Sequence, residues 1–190
     1  MEYLLIFIAA VFVNNIVLAQ FLGICPFLGV SQKVETALGM SGAVAFVMTI
    51  ATIATYLAQK YILNVFGLYY LQTIFFILII AALVQMVETI LKKVSPALNH
   101  ALGVFLPLIT TNCAILGVAL IVIHKDFDLL TSVVYAISTA AGFGLALIIF
   151  AGIREQLHLT HIPKNMQGMP IALITAGILA MAFMGFSGIV

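Results

Sequence analysis

The residues best placed to do chemistry in this chain are Cys25 and Cys113, its only two cysteines. Each heads the same pattern, C-x-x-L-G-V: Cys25-Pro26-Phe27-Leu28-Gly29-Val30 and Cys113-Ala114-Ile115-Leu116-Gly117-Val118. The positions 25 and 113 set a displacement of 88 residues. A Leu-Gly-Val run carries little information in an apolar chain. One that begins both times at a cysteine, with no cysteine elsewhere, is an internal repeat. Three chemistries are open to such a pair. A free cysteine is a small hydrophobe that packs well. Two thiols can close a disulfide, which is of little use to a chain within reach of cellular reductants. Soft thiolates hold zinc, copper(I) or iron–sulfur clusters, and in a dry site their charge needs a metal to offset it.

The elements that must position these thiols lie in lipid. The chain has 190 residues, 65% of them hydrophobic and 7% charged, against about 45–50% apolar and about 25% charged in ordinary soluble proteins. A net charge of +1 supplies no basic field for nucleic acid, and no phosphate-binding glycine loop, dinucleotide fingerprint or hydrolytic triad is present. A span needs roughly 20 mostly apolar residues. Six stretches qualify: Tyr3–Val30 (long and interrupted), Leu38–Ala58, Tyr69–Leu91, Ala101–Ile123, Leu129–Gly152 and Pro170–Val190. The first lacks a basic n-region and a small-residue cleavage site, so it reads as a span rather than a signal peptide. The connectors are short and polar. The fold class expected is therefore all-α, a polytopic membrane protein forming one domain over residues 1–190. Loops on one side would hold Lys33, Lys92, Lys93, Arg154 and Lys164, and loops on the other Lys60 and Lys125. The positive-inside rule then puts the first set in the cytoplasm and both termini outside.

The 88-residue displacement carries the first three spans onto the last three. Three is odd, so the halves, approximately 1–95 and 96–190, would enter the membrane from opposite sides as inverted repeats. Folds of that kind place sites near the midplane on broken helices marked by glycine or proline. Gly23 and Pro26 flank Cys25, and Pro107 precedes Cys113. Asn14, Asn15, Gln20, Thr110, Thr111 and Asn112 add polarity that lipid-facing helices avoid. Helix breaks are expected at both cysteines. Thr49, Thr52, Thr55, Ser138, Thr139, Gly142 and Gly144 read as packing faces, where backbones approach and hydroxyls bond across helices. If the thiols hold a cluster, two are too few, because a 2Fe–2S centre takes four cysteines. A second, homologous chain inserted the opposite way would supply the other pair.

The remaining candidates are weaker. Glu88 stands four residues before Lys92 and reads as half of an interfacial ion pair. The spans otherwise lack carboxylates. His158 and His161 have no cysteine nearby to complete a zinc site and read as a solvated loop. Arg154-Glu155 reads first as an interfacial anchor and second as a docking point for a cytoplasmic subunit.

The segments FLGICPFLGVS (Phe21–Ser31), ALGVFLPLITTNCAILGVAL (Ala101–Leu120) and AGIRE (Ala151–Glu155) resemble the RnfA/NqrE family over essentially the whole chain. These are membrane subunits of the Rnf ferredoxin:NAD oxidoreductase complex and of the sodium-pumping NADH:quinone oxidoreductase. The compact N-terminus and the Cys-Pro-Phe-Leu-Gly and Thr-Thr-Asn-Cys runs lie nearer the RnfA branch. The resemblance implies six helices in two inverted halves, in a bacterial or archaeal inner membrane. It also implies a homologous partner subunit, RnfE, of opposite orientation. It implies a 2Fe–2S cluster inside the membrane with two cysteine ligands from each partner, at positions matching Cys25 and Cys113. The cluster would relay electrons between iron–sulfur and flavin subunits, coupled to export of Na+ or H+. No complete active site is expected in this chain alone, and no flavin, since Ser138-Thr139-Ala140-Ala141 poorly matches the threonine sites that carry it. The competing readings are the equivalent NqrE subunit, an inverted-repeat secondary transporter with incidental cysteines, and a purely structural subunit.

Overall fold

Long apolar runs make helices wherever the backbone can close its hydrogen bonds within the segment, which lipid requires. The computed structural model describes residues 2–63, 67, 69–94, 106–160, 163 and 166–188, and among them all regular structure is helical. In chain order the α-helices are α1 (Glu2–Ile8), α2 (Ile24–Val30), α3 (Val34–Ala58), α4 (Gln72–Val94), α5 (Leu106–Thr110), α6 (Cys113–His124), α7 (Leu129–Leu157) and α8 (Met169–Met184). A π-helical segment, Ala9–Val13, continues α1, and another, Gln59–Leu63, continues α3.

The core is the long pairing of α3 with α7. Small residues let these helices close together: a Cβ on Gly144 of α7 would lie 3.1 Å from the Ser41 Cβ of α3. Met40, Val44 and Met48 of α3 and Phe143, Leu147 and Phe150 of α7 are fully buried. Around this pair the first arm (α1 and its π segment) packs on α7, and α6 packs on α3. α4 contacts α3, α5 and α6, while α8 contacts α7 and the π segment of the first arm. The most apolar window of Leu129–Leu157 is 61% buried, and that of Gln72–Ile90 only 17%. The fifth expected span is thus the centre of the bundle and the third an outer helix.

Among the described residues, four helices are long and apolar enough to cross a membrane: Val34–Leu63, Gln72–Ile90, Pro107–His124 and Leu129–Leu157. The first and last expected spans are matched by shorter apolar helices, Tyr3–Val13 and Met169–Met184. The first ends early for a local reason. The Asn14 N–H closes a π turn onto the Ala9 carbonyl at 2.7 Å. The Asn15 side chain then accepts from the N–H groups of Val17 and Leu18, competing with helix propagation.

The breaks expected at the cysteines are present, between Val13 and Ile24 and between Thr110 and Cys113. The hydroxyls behave differently from expectation. Thr49, Thr52, Thr55, Ser138 and Thr139 each donate to the carbonyl four residues back in their own helix, at 2.7–2.8 Å. In apolar surroundings that carbonyl is the nearest acceptor. Close approach of helices is left to the glycines. The boundary between the proposed halves and the start of the fourth stretch (residues 95–105) lie outside the described residues, as do His161, Lys164 and the Lys92 side chain of the expected Glu88–Lys92 pair.

Candidate functional site

The first arm reaches Cys25 through an irregular stretch pinned to α7. Asn15, fully buried, donates through Nδ2 to the carbonyls of Val11 (3.1 Å) and Gly142 (2.9 Å). Gly142 lets the two backbones approach, since a Cβ there would crowd the Val11 Cα at 3.1 Å. The chain then turns through Phe21 (φ 56) and Gly23 (φ 81, ψ 26), both left-handed. Gly23 adopts this conformation freely and Phe21 does not. α2 follows, with Cys25 at its second position and Pro26 at its third. A proline in a helix's first turn removes an N–H that has no intrahelical partner anyway.

The second arm is simpler. α5 stops where the Thr111 hydroxyl and N–H both bond back to the Pro107 carbonyl. Asn112 is extended (φ −71, ψ 112) and caps α6, its Oδ1 accepting from the Ala114 N–H at 3.0 Å. Asparagine is among the best residues for this position. Cys113 is therefore the first residue of α6, beside backbone N–H groups that favour negative charge. The Asn112 Nδ2 is buried without a hydrogen-bond partner.

The two arms meet. The Gly23 N–H donates to the Cys113 sulfur at 2.9 Å, and Gly23 is two residues from Cys25, a span of at most about 7 Å. A Cβ on Gly23 would fall 3.0 Å from the Phe143 ring and 3.1 Å from the Ala114 Cβ, so the contact depends on glycine. The crossing is reciprocal: Gly117 of α6 receives Leu22 of the first arm, and Gly29 of α2 faces Leu108 of α5. Both thiols are free, Cys25 exposed and Cys113 half-buried. Among the described residues no group of three or more His, Cys, Asp and Glu side chains comes together. The site thus presents two thiols, not a closed ligand shell.

The other candidates lie elsewhere. Asn14 and Gln20 line a cavity of about 230 Å³ with Ile121, Lys125 and Tyr135, apart from the thiols. Glu155 and His158 are placed at the end of α7, Glu155 exposed and His158 likewise. Arg154 departs from its expected role. Expected at an interface, it is only 8% exposed, and its Nη1 donates to the Leu28 carbonyl and the Ser31 hydroxyl, both at 2.8 Å. Its guanidinium also lies 5.8 Å from the Phe150 ring centre, and Phe150 stacks on Phe27 of α2 at 4.3 Å. An arginine within one turn of a helix end reads as snorkelling to the interface. Only the unsatisfied carbonyls at the end of α2, 126 residues away in sequence, reveal its partner.

Similarity to known proteins agrees with the resemblance read from the motifs. A family model described as "Rnf-Nqr subunit, membrane protein" matches residues 3–190. An Acetobacterium woodii protein, named as the A-type component of a Na(+)-translocating ferredoxin:NAD(+) oxidoreductase complex, is 59% identical, covering 99% of this chain and 98% of its own length. A Syntrophotalea carbinolica protein, named as the A-type component of an ion-translocating oxidoreductase complex, is also 59% identical, covering 98% and 97%. A Vibrio cholerae protein of that second name is 51% identical, covering 100% and 98%. Full-length matches at these identities leave one assignment: the chain belongs to the Rnf-Nqr subunit family of membrane proteins.

Proposed function

We propose that this chain is the A-type membrane component of an ion-translocating ferredoxin:NAD oxidoreductase complex and supplies half of the ligands of an intramembrane 2Fe–2S cluster. The observation that carries the ligand assignment is the contact between the arms, which sets the Cys113 sulfur against the backbone two residues from Cys25. The donor set fits such a centre. Both ligands are soft, both thiols are free, and neither is sealed within the chain. Four cysteines are needed, and a homologous subunit of opposite orientation brings the other two. Crossed packing supports six spans in two inverted halves. The first arm packs on α7 and α6 packs on α3, so each arm leans on the middle span of the other half.

When bound, the cluster supplies one-electron transfer. This chain's residues hold and tune it. Cys25 and Cys113 ligate through sulfur. The Gly23 N–H donates to one of those sulfurs, the kind of contact that sets a cluster's potential. Phe143 and Ala114, packed against Gly23, keep water from the inner side. In this reading the cluster would pass electrons between cytoplasmic and external subunits, coupled to outward movement of Na+ or H+, and the chain would lie in an inner membrane with both termini outside.

The test is the complex purified with Cys25→Ser or Cys113→Ser. Each variant is expected to lose the reduced-state electron paramagnetic resonance signal of one 2Fe–2S cluster and its share of iron, with the subunits still assembled. A signal unchanged in both variants would sink the ligand assignment.

A further inference from the structure

We infer that Arg154 is a positioning residue for Cys25: its buried guanidinium latches the C-terminal end of α2 to α7 and so fixes where that thiol lies relative to Cys113. The inference rests on the two cysteines forming one site, as proposed above, but not on what they bind.

α2 has seven residues, well below the roughly 12–15 that make even a good isolated helix marginally stable. Its position must come from tertiary contacts. Only Pro26, Phe27 and Val30 are buried along it, and two of the contacts that hold it come from neighbouring residues of α7. Phe150 stacks on Phe27 with ring planes 16° apart. Arg154, one turn further along α7, donates to Leu28 and Ser31. The last carbonyls of a helix lack intrahelical partners and carry its negative pole, so a guanidinium there meets both a vacant acceptor and a favourable field. Arg154 is the only charged residue among the buried polar side chains described. A buried charge held by hydrogen bonds is costly to displace, which makes the latch stiff. Leu28 is three residues from Cys25, within a single helical turn, so displacement at one end of α2 moves the thiol at the other.

The chain's two native cysteines are its own reporters. Nitroxide labels on both, in the full-length chain in membranes, report the separation of the thiols through dipolar broadening. Arg154→Gln should raise the population with α2 released about tenfold, as expected when a charge-assisted hydrogen bond is lost. That appears as loss of broadening and as a mobile component in the spectrum of a Cys25 label in a Cys113→Ser background. Arg154→Lys should restore part of the broadening, and Ser31→Ala should lose less than Arg154→Gln. A label on Cys113 in a Cys25→Ser background should keep its spectrum in all three. Unchanged broadening in Arg154→Gln, or equal mobilisation of both labels, would overturn the assignment. Because no cluster is needed, failure here is distinct from failure of the iron measurement.

Discussion

Cys113 opens a helix of twelve residues, capped by its own neighbour and buried along Ala114, Ile115, Val118 and Val122. Cys25 sits in a helix of seven that has no side-chain cap, packs on α3 and α5 and takes further support from side chains of α7. The two arms share a sequence pattern but not a source of rigidity. Even the matching glycines differ: a Cβ on Gly117 would collide with Leu22 at 2.6 Å, whereas one on Gly29 would meet Leu108 at an ordinary 3.5 Å. In the proposed site the shared pattern sets which residues come together, while each arm finds its own way to hold them. The second arm does so locally, through a cap and packing. The first does so at long range, through Asn15 on Gly142 and Arg154 on Leu28 and Ser31.

The largest effect that would break this comparison is expected from Gly23→Ala, because Gly23 serves both arms. The left-handed backbone costs a side chain about 1–2 kcal/mol, and the crowding by Phe143 and Ala114 adds to it. Thermal unfolding in detergent should show the loss, and a label on Cys113 should loosen as well as one on Cys25. A smaller effect, confined to the second arm, is expected from Asn112→Ala, where losing the cap costs about 1 kcal/mol. Asn112→Ser sharpens the point. It keeps a capping oxygen and removes the buried unpaired Nδ2, so its stability should stay close to the parent's or exceed it. If Asn112→Ser destabilises as much as Asn112→Ala, the side-chain amide has a partner role beyond capping.

Much of the scaffold is legible in the sequence. Composition dictates a membrane bundle, and glycine, proline and asparagine around the cysteines mark the helix breaks where they occur. Asn112 before an apolar run is a capping signal on its own terms. Contacts between distant residues are what a linear reading misses. Arg154 looks like any cation near a helix end until α2 is folded against it. Residues such as Thr52, Thr55 and Thr139 do lie on buried faces, but their hydroxyls turn back onto their own helices, since a carbonyl four residues away is always within reach. The length of the first helix is hidden in the same way. Asn14 and Asn15 mark the first stretch as interrupted, but the π turn onto Ala9 and the bonds of the Asn15 side chain that end the helix there are not legible in hydropathy.

The central claim, that this chain holds half of a site, is tested most directly by iron stoichiometry. The chain should be purified from membranes alone and again after co-expression with its homologous inverted partner. The account predicts no stable iron–sulfur centre on the lone chain and one 2Fe–2S cluster per pair. A cluster retained by the chain alone, or an iron-free pair that still carries electrons, would contradict it.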